Sequence, residues 1–451
     1  MMAQPAADEP PAGEPALLGR LLSHFARDPA TLPVVEQEFA TYERVNLQLA
    51  LTEMLAEPQR ASELLGVIVL EEYRSASLAR MSRAGSAKNF DAGPVEYADL
   101  PLPGDRHLGC AKNGLYLIRE DDHPLAVLLT EPAHSWQAQF GVEVMAVDRE
   151  RAETFSRQLA RRTRFGKAFR GHTLSLKQDC HGGLEVHFHH LPAISRDELI
   201  LPDALLRRIE RHTLSFNRHT EVLRAARRHL KRGLLLHGPP GTGKTLTAMY
   251  LVTQMPGRTV LILTGAGMGS VETVCKLARM LAPATVILED VDLIGTQRNR
   301  QTVDANALLF ELLNQMDGLA DDTDILFVLT TNRPDILEPA LAARPGRIDQ
   351  AIEVPPPDAD CRRRLFTLFG RGLDVAVENW DALIARTAGV SGAFIRELLR
   401  KAAVFAAEEG DGAELVVRDR HVEEALAELL VAGGPLTQSL LGATRAPQDE
   451  G

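Results

Sequence analysis

Eight consecutive residues constrain this chain more than any others: Gly238-Pro239-Pro240-Gly241-Thr242-Gly243-Lys244-Thr245. They fit the pattern G-x-x-x-x-G-K-[ST], in which glycines let backbone N–H groups turn inward onto phosphate oxygens. The stretch follows an apolar run, Gly233-Leu234-Leu235-Leu236, of the kind a buried parallel strand shows. Leu246-Thr247-Ala248-Met249-Tyr250-Leu251 then reads as a helix, whose N-terminus adds partial positive charge at the same spot. Strand, glycine loop and helix start are the context that a phosphate-binding loop requires. Lys244 is expected to reach the β- and γ-phosphates of a nucleoside triphosphate, and the Thr245 hydroxyl to hold Mg²⁺.

At 451 residues the chain has room for two to four domains. A net charge of -11 argues against a general nucleic-acid binder. Apolar runs such as Leu64-Leu65-Gly66-Val67-Ile68-Val69-Leu70 are far shorter than a membrane helix, and the first residues resemble no secretory leader. The four cysteines, Cys110, Cys180, Cys275 and Cys361, are dispersed, as suits reduced thiols in the cytoplasm.

Along the chain, residues 1–15 are rich in Pro, Ala and acid and read as disordered. Residues 16–85 read as a helical segment, although Val45, Leu47, Leu49, Leu51, Met54 and Leu55 form no single stripe. Residues 86–103 read as a linker or long loop. Residues 104–192 read as a small α+β domain: a hairpin around Glu120-Asp121-Asp122-His123-Pro124, a strand over 142–147, a helix capped by Asp148, and a final strand pair. The cluster Cys180, His181, His187, His189 and His190 suggests zinc. The plainer reading is a strand with Leu184, Val186 and Phe188 facing inward. The basic stretch from Leu201 to Arg232 is readable as a nucleic-acid face or, more plainly, as a solvated helical surface.

Beyond the phosphate loop, Thr259–Thr264 and Thr285–Leu288 read as buried strands. The second ends in Glu289-Asp290-Val291-Asp292, and acids at the C-terminal tip of a core strand are where Mg²⁺ and an attacking water are handled. Taking Asp290 as the Mg²⁺ residue would leave Val291 to orient water, which valine cannot do. Glu289 is therefore assigned to Mg²⁺ and Asp290 to water, a carboxylate one methylene shorter than usual. A third strand, Ile325–Leu329, leads to Asn332, placed to hold the γ-phosphate and water. Arg344-Pro345-Gly346-Arg347-Ile348-Asp349 offers two guanidiniums to a neighbouring subunit's γ-phosphate.

In this order the motifs resemble the AAA ATPase family. The likeness covers about 200–430, and continues through Leu313-Asn314-Gln315-Met316-Asp317-Gly318, Thr331-Asn332-Arg333-Pro334-Asp335 and Val390-Ser391-Gly392-Ala393. It implies a doubly wound parallel α/β core at 200–357, a helical lid at 358–430 and a tail at 431–451, behind a separate N-terminal α plus α+β region. It also implies a homo-hexamer or similar ring, with ATP between subunits and Arg344 and Arg347 acting in trans. The Glu-Asp order is similar to the subgroup of the mitochondrial chaperone that exports the folded Rieske protein. That chaperone has a membrane helix, whereas none is visible in this chain. The loop after the second strand offers Met268 where many members carry an aromatic gripping residue, no H-E-x-x-H accompanies the ATPase, and Arg396 is a weak match for a lid arginine.

Three functions compete. The first is a cytoplasmic ring ATPase that remodels an unknown protein substrate. The second is a nucleotide-gated scaffold with low turnover, motivated by Asp290 and the poor pore loop. The third is an ATP-dependent nucleic-acid loader or motor, motivated by the basic helices.

Overall fold

The computed structural model describes residues 16–71, 75–131, 139–164, 166–178, 184–263, 271–292, 305–318, 320, 322–335, 348–409 and 415–429. The chain divides into two units, Met1–His189 and His190–Gly451.

In the first unit the strands β1 (Val34–Ala40), β2 (Arg60–Val69), β3 (Phe90–Gly93), β4 (Tyr97–Leu102), β5 (Arg106–Ala111), β6 (Gly114–Glu120), β7 (His123–Thr130) and β8 (Gln139–Ala146) precede a hairpin of β9 (Thr173–Gln178) and β10 (Leu184–His189). Six of them form one sheet in the order β1-β8-β7-β6-β2-β3, antiparallel at every step. The run Leu115-Tyr116-Leu117-Ile118 is apolar at every position because both faces of the sheet are covered. Tyr116 and Ile118 meet the helices Arg44–Leu55 and Arg149–Arg164 through Leu47, Leu51, Phe155 and Leu159. Leu115 and Leu117 meet the helix Ala16–Phe25 through Leu17, Leu21 and Phe25. The turn between β6 and β7 places Asp121 at φ 45° and Asp122 at φ 66°, the paired left-handed conformation of a tight hairpin. Asp148 caps its helix, its Oδ1 accepting from the Arg151 N–H at 2.8 Å.

Two expectations need correction here. Residues 16–85 are not a helical segment separate from 104–192; β1 and β2 lie in the same sheet as β6, β7 and β8. Nor is 86–103 a linker, since β3 pairs with β2 and β4 with β5. The physical reason is that, among the described residues, β1 pairs only with β8, far along the chain, so its strand character comes from a non-local partner. The helix Arg44–Leu55 showed no stripe because it is buried around most of its girth, including Asn46 and Gln48.

In the second unit β11 (Arg232–His237), β12 (Thr259–Leu263), β13 (Ala284–Leu288), β14 (Ile325–Thr331) and β15 (Gln350–Glu353) lie side by side in the order β12-β13-β14-β11-β15, all parallel. Every residue of β12, β13 and β14 is buried. The helices Asp203–Glu210 and Lys244–Thr253 cover one face, where Leu206, Ile209, Ala248 and Leu251 pack on Leu234, Leu236, Val260 and Val328. The helix Val271–Met280 packs on β12 and β13. After this sheet in the chain come the helices Ala359–Phe369, Trp380–Arg386, Gly392–Glu409 and Asp419–Ala427, joined around Phe366, Leu383, Phe394, Leu398, Leu399 and Leu426. Among the described residues no helix is long and apolar enough to cross a membrane.

The N-terminal ends of the strands carry a buried charge network. Arg232, which opens β11, donates to Asp324 Oδ1 at 3.0 Å. Arg258, just before β12, donates to Asp324 Oδ2 at 2.8 Å and to Asn217 Oδ1 at 2.9 Å. The Arg232 guanidinium also lies 3.9 Å from the Phe216 ring centroid. Burial, with Arg258 nearby, pushes the Arg232 pKa down to about 10, so it stays charged at neutral pH. Other members of the basic stretch are engaged as well: Arg224 pairs with Glu221, Arg208 donates to Gln350 at 2.9 Å and Lys231 to the Met316 carbonyl at 3.2 Å.

Candidate functional site

The site gathers at the opposite, C-terminal ends of the same strands. β11 runs into the glycine loop, β13 into Glu289 and Asp290, and β14 into Asn332. Open parallel sheets bind ligands at this edge because the connections splay apart there.

Gly238 has φ 142°, and a side chain on it would meet the Val354 carbonyl at 2.4 Å. Gly243 caps the helix Lys244–Thr253 from φ 101°. A bulkier residue at either position would force the loop away from this path. Gly241 is closed in from another side: an added Cβ would lie 2.7 Å from Ser391 Oγ and 2.8 Å from Ala393 Cβ. The Ala393 N–H donates to the Gly241 carbonyl at 3.2 Å, so the start of the helix Gly392–Glu409 rests on the loop. Thr242 Oγ1 donates to the Pro239 carbonyl at 2.9 Å. Lys244 is buried, and its Nζ donates to the carbonyls of Gly238 at 2.9 Å and Pro239 at 2.7 Å. Burial lowers its pKa, opposed by the carboxylates of Asp290 and Asp292. The Thr245 side chain is exposed at the first turn of the helix.

Asp290 turns the chain at the tip of β13 with φ 47°, a left-handed conformation that Asp tolerates better than most residues. Its N–H donates to Thr330 Oγ1 at 3.0 Å, and its Oδ1 accepts from Asn332 Nδ2 at 3.2 Å. Burial and the Asp292 charge raise the Asp290 pKa. Glu289 is also raised, by burial and then by Asp290. Among the described residues its Oε1 is buried with no hydrogen-bond partner, a costly state for a carboxylate. An unpartnered carboxylate oxygen at the tip of β13 and an exposed threonine hydroxyl at the start of the helix that follows the loop are both hard oxygen donors, so these residue types fit Mg²⁺.

A cavity of about 550 Å³ adjoins the loop, lined by Ile200, Gly241, Gly243, Leu246, Phe369 and Arg396 among others. Its size and apolar walls suit a nucleobase with its sugar. Arg396 is thus brought to the loop.

Asp292 was not singled out by sequence reasoning. It is buried, and its Oδ1 accepts from Thr331 Oγ1 at 2.8 Å and from the Asn332 N–H at 3.1 Å. It fixes the segment that carries Asn332. The signal was a second carboxylate two residues after Asp290 in Asp290-Val291-Asp292. Arg344, Arg347, Met268, Cys180 and His181 lie outside the described residues. Among the described residues no group of three or more His, Cys, Asp or Glu is placed to hold a metal ion. His189 Nε2 instead pairs with Ser175 Oγ at 2.7 Å.

A phosphate loop between a parallel strand and a helix, with acids and an amide on the neighbouring strand tips, defines a P-loop nucleoside-triphosphate-binding domain. Residues 234–356 match the family described as "ATPase family associated with various cellular activities (AAA)". This chain therefore carries a domain of the AAA ATPase family. It is 35% identical over 207 residues to "ATP-dependent zinc metalloprotease FtsH 2" of Sphaerobacter thermophilus, covering 44% of this chain and 32% of that protein. It is 32% identical over 232 residues to "Cell division cycle protein 48 homolog" of Archaeoglobus fulgidus, covering 46% of this chain and 32% of the relative. A Thermus thermophilus "ATP-dependent zinc metalloprotease FtsH" is 35% identical over 225 residues, covering 47% and 35%. The chain thus spans about a third of the length of these curated relatives.

Proposed function

We propose that the protein is a ring-forming ATPase that couples ATP hydrolysis to the remodelling of protein substrates. The observation that carries this reading is the convergence of Lys244, Asp290 and Asn332, with the Asn332 amide held on Asp290 at 3.2 Å. In this reading the glycine loop and Lys244 bind the β- and γ-phosphates, and Thr245 and Glu289 hold Mg²⁺. A bound Mg²⁺ would neutralise phosphate charge. Asp290 orients the attacking water, and Asn332 fixes Asp290 and the γ-phosphate. Arg344 and Arg347 approach from the neighbouring subunit and stabilise charge in the transition state, a contribution of about 10³–10⁵ in rate where such a finger acts. The relatives' printed names, which describe ATP-dependent enzymes, support the ATPase part.

The test is ATPase activity against protein concentration. Specific activity rises as subunits assemble, and Arg347→Ala removes it while sparing ATP binding. Concentration-independent turnover by a stable monomer would overturn the ring. Trapping with Asp290→Asn and identifying what co-purifies would name the substrate. The proposal places the protein in the cytoplasm, where its buried free thiols Cys110, Cys275 and Cys361 stay reduced.

The short Asp290 side chain favours a second reading, a nucleotide-gated scaffold with little turnover. Asp290→Glu separates the two. Acceleration by the longer carboxylate supports the scaffold, and brisk turnover by the natural protein removes it.

A further inference from the structure

Among the described residues β1 is an edge strand of the first unit's sheet, beside a groove of about 550 Å³ lined by Val35 and Gln37 of β1 and by the helix Arg149–Arg164. Among the described residues β1 pairs only with β8. Val34 faces Met145 in the register, and the Ala146 N–H donates to the Pro33 carbonyl. Hydrogen-bonded pairs alternate along an antiparallel ladder, so Val35, Gln37 and Phe39 direct their backbone groups at β8. The N–H and C=O groups of Val34, Glu36, Glu38 and Ala40 then point to the open side. The Ala40 N–H is capped by Glu43 Oε2 at 3.0 Å, which agrees with that phase and leaves the donors of Val34, Glu36 and Glu38.

The two faces of this edge carry opposite charge. On the groove side Gln37 Oε1 accepts from Ser156 Oγ at 2.7 Å, and Val35 packs into the core beneath the helix. Arg157, Arg161 and Arg164 follow at helical spacing on that side, all exposed. Arg157 and Arg161 make no ion pair among the described residues, and Arg164 interacts at longer range with Glu43. Glu153, the acid that lines the groove, is held by Arg149 at 2.6 Å. On the opposite face Val34 packs into the other core, and Glu36 and Glu38 stand exposed on its side.

We propose that β1 accepts a segment of a partner protein as an added strand, and that the segment alternates acidic and basic residues. Side chains of an added strand alternate between faces, and directly opposite neighbours lie about 4.5–5.5 Å apart. Acidic positions would lie over the arginine stripe, and the intervening basic positions over Glu36 and Glu38. Charge on an edge strand ordinarily discourages indiscriminate pairing. Here one sign per face makes the edge selective for pattern rather than for net charge. Backbone bonds supply affinity and the alternate side chains supply specificity.

The test is fluorescence anisotropy of a labelled peptide with Glu at every second position and Lys or Thr between, titrated with the full-length protein. A peptide of identical composition with its acids and bases in separate blocks is the control. The patterned peptide binds saturably, and the block peptide binds about tenfold more weakly or worse. Arg157→Glu with Arg161→Glu, both on the surface, weakens the patterned peptide by a similar factor, and added salt weakens it further. Glu36→Pro removes an outward donor without touching the β8 ladder, a position where an edge strand tolerates proline, and abolishes binding. Equal binding of the two peptides, undiminished binding by the double arginine variant, or no saturable binding of the patterned peptide would overturn the proposal. No nucleotide is present, so failure here leaves the ATPase reading untouched.

Discussion

At the N-terminal end of the parallel sheet, Arg232, Arg258 and Asp324 direct their hydrogen bonds at one another and at nearby backbone. At the C-terminal end, Glu289 keeps a buried oxygen without a partner among the described residues, and Lys244 is held by loop carbonyls that a stronger anion can replace. Both ends bury charge between the same strands. One end is saturated and gains rigidity. The other keeps donor and acceptor capacity in reserve, at some expense in stability, for a ligand that brings charge of its own.

The largest expected effect tests the saturated end. Asp324→Ala leaves two buried guanidiniums without their carboxylate and destabilises the second unit by about 3–5 kcal/mol, read by urea unfolding, while turnover per folded molecule is kept. Next comes the reserved end. Asp290→Asn lowers hydrolysis by about 10²-fold or more, as expected for loss of a general base, with little change in unfolding midpoint. If Asp290→Asn instead unfolded the domain as Asp324→Ala does, the contrast between the ends would collapse.

A smaller effect sharpens the comparison. Asp292→Asn weakens bonds of roughly 1.5–3 kcal/mol to Thr331 and Asn332, and lowers kcat about tenfold without altering ATP affinity. A change in affinity alone would show that Asp292 acts on the ground state.

The smallest effect concerns His212, which lies near Gly233 and Asp349 beside the Arg232–Arg258–Asp324 network without being part of it. Its Nε2 is buried without a partner among the described residues, and burial holds its pKa below 6.5. A depressed pKa means that its contribution to stability is complete above the unfolded-state value. That contribution declines as pH falls from about 6.5 through the folded-state value. His212→Gln flattens this part of the stability profile between pH 7 and 5, measured by thermal unfolding. An unchanged slope would assign it to another group.

Much of the reserved end was legible before any coordinates, because its chemistry is written in contiguous residues. Gly238–Thr245, Glu289–Asp290 and Asn332 each sit at a strand tip, so locating the strands located the residues. The saturated end was not legible. Arg232, Arg258 and Asp324 are isolated in the chain, and Arg232 looked like one more cation in a basic stretch. Only the parallel register brings the three together. The first unit shows the same limit. Its β6–β7 hairpin is a local event and could be read from Asp121 and Asp122, whereas β1 and β2 depend on partners remote in sequence. Helix-favouring composition around them concealed two strands.

The seam at Gly241 has a mechanical consequence. With no room for even a methyl group between Gly241 and the side chains of Ser391 and Ala393, and with the Ala393 N–H on the Gly241 carbonyl, the start of the helix Gly392–Glu409 bears directly on the phosphate cradle. The side chains at this contact, Ser391 and Ala393, are short and leave little play to absorb a tilt. A change in how the cradle grips its anion is therefore expected to tilt the helix Gly392–Glu409, and a push on that helix to strain the cradle. Glycine here acts as a stiff bearing.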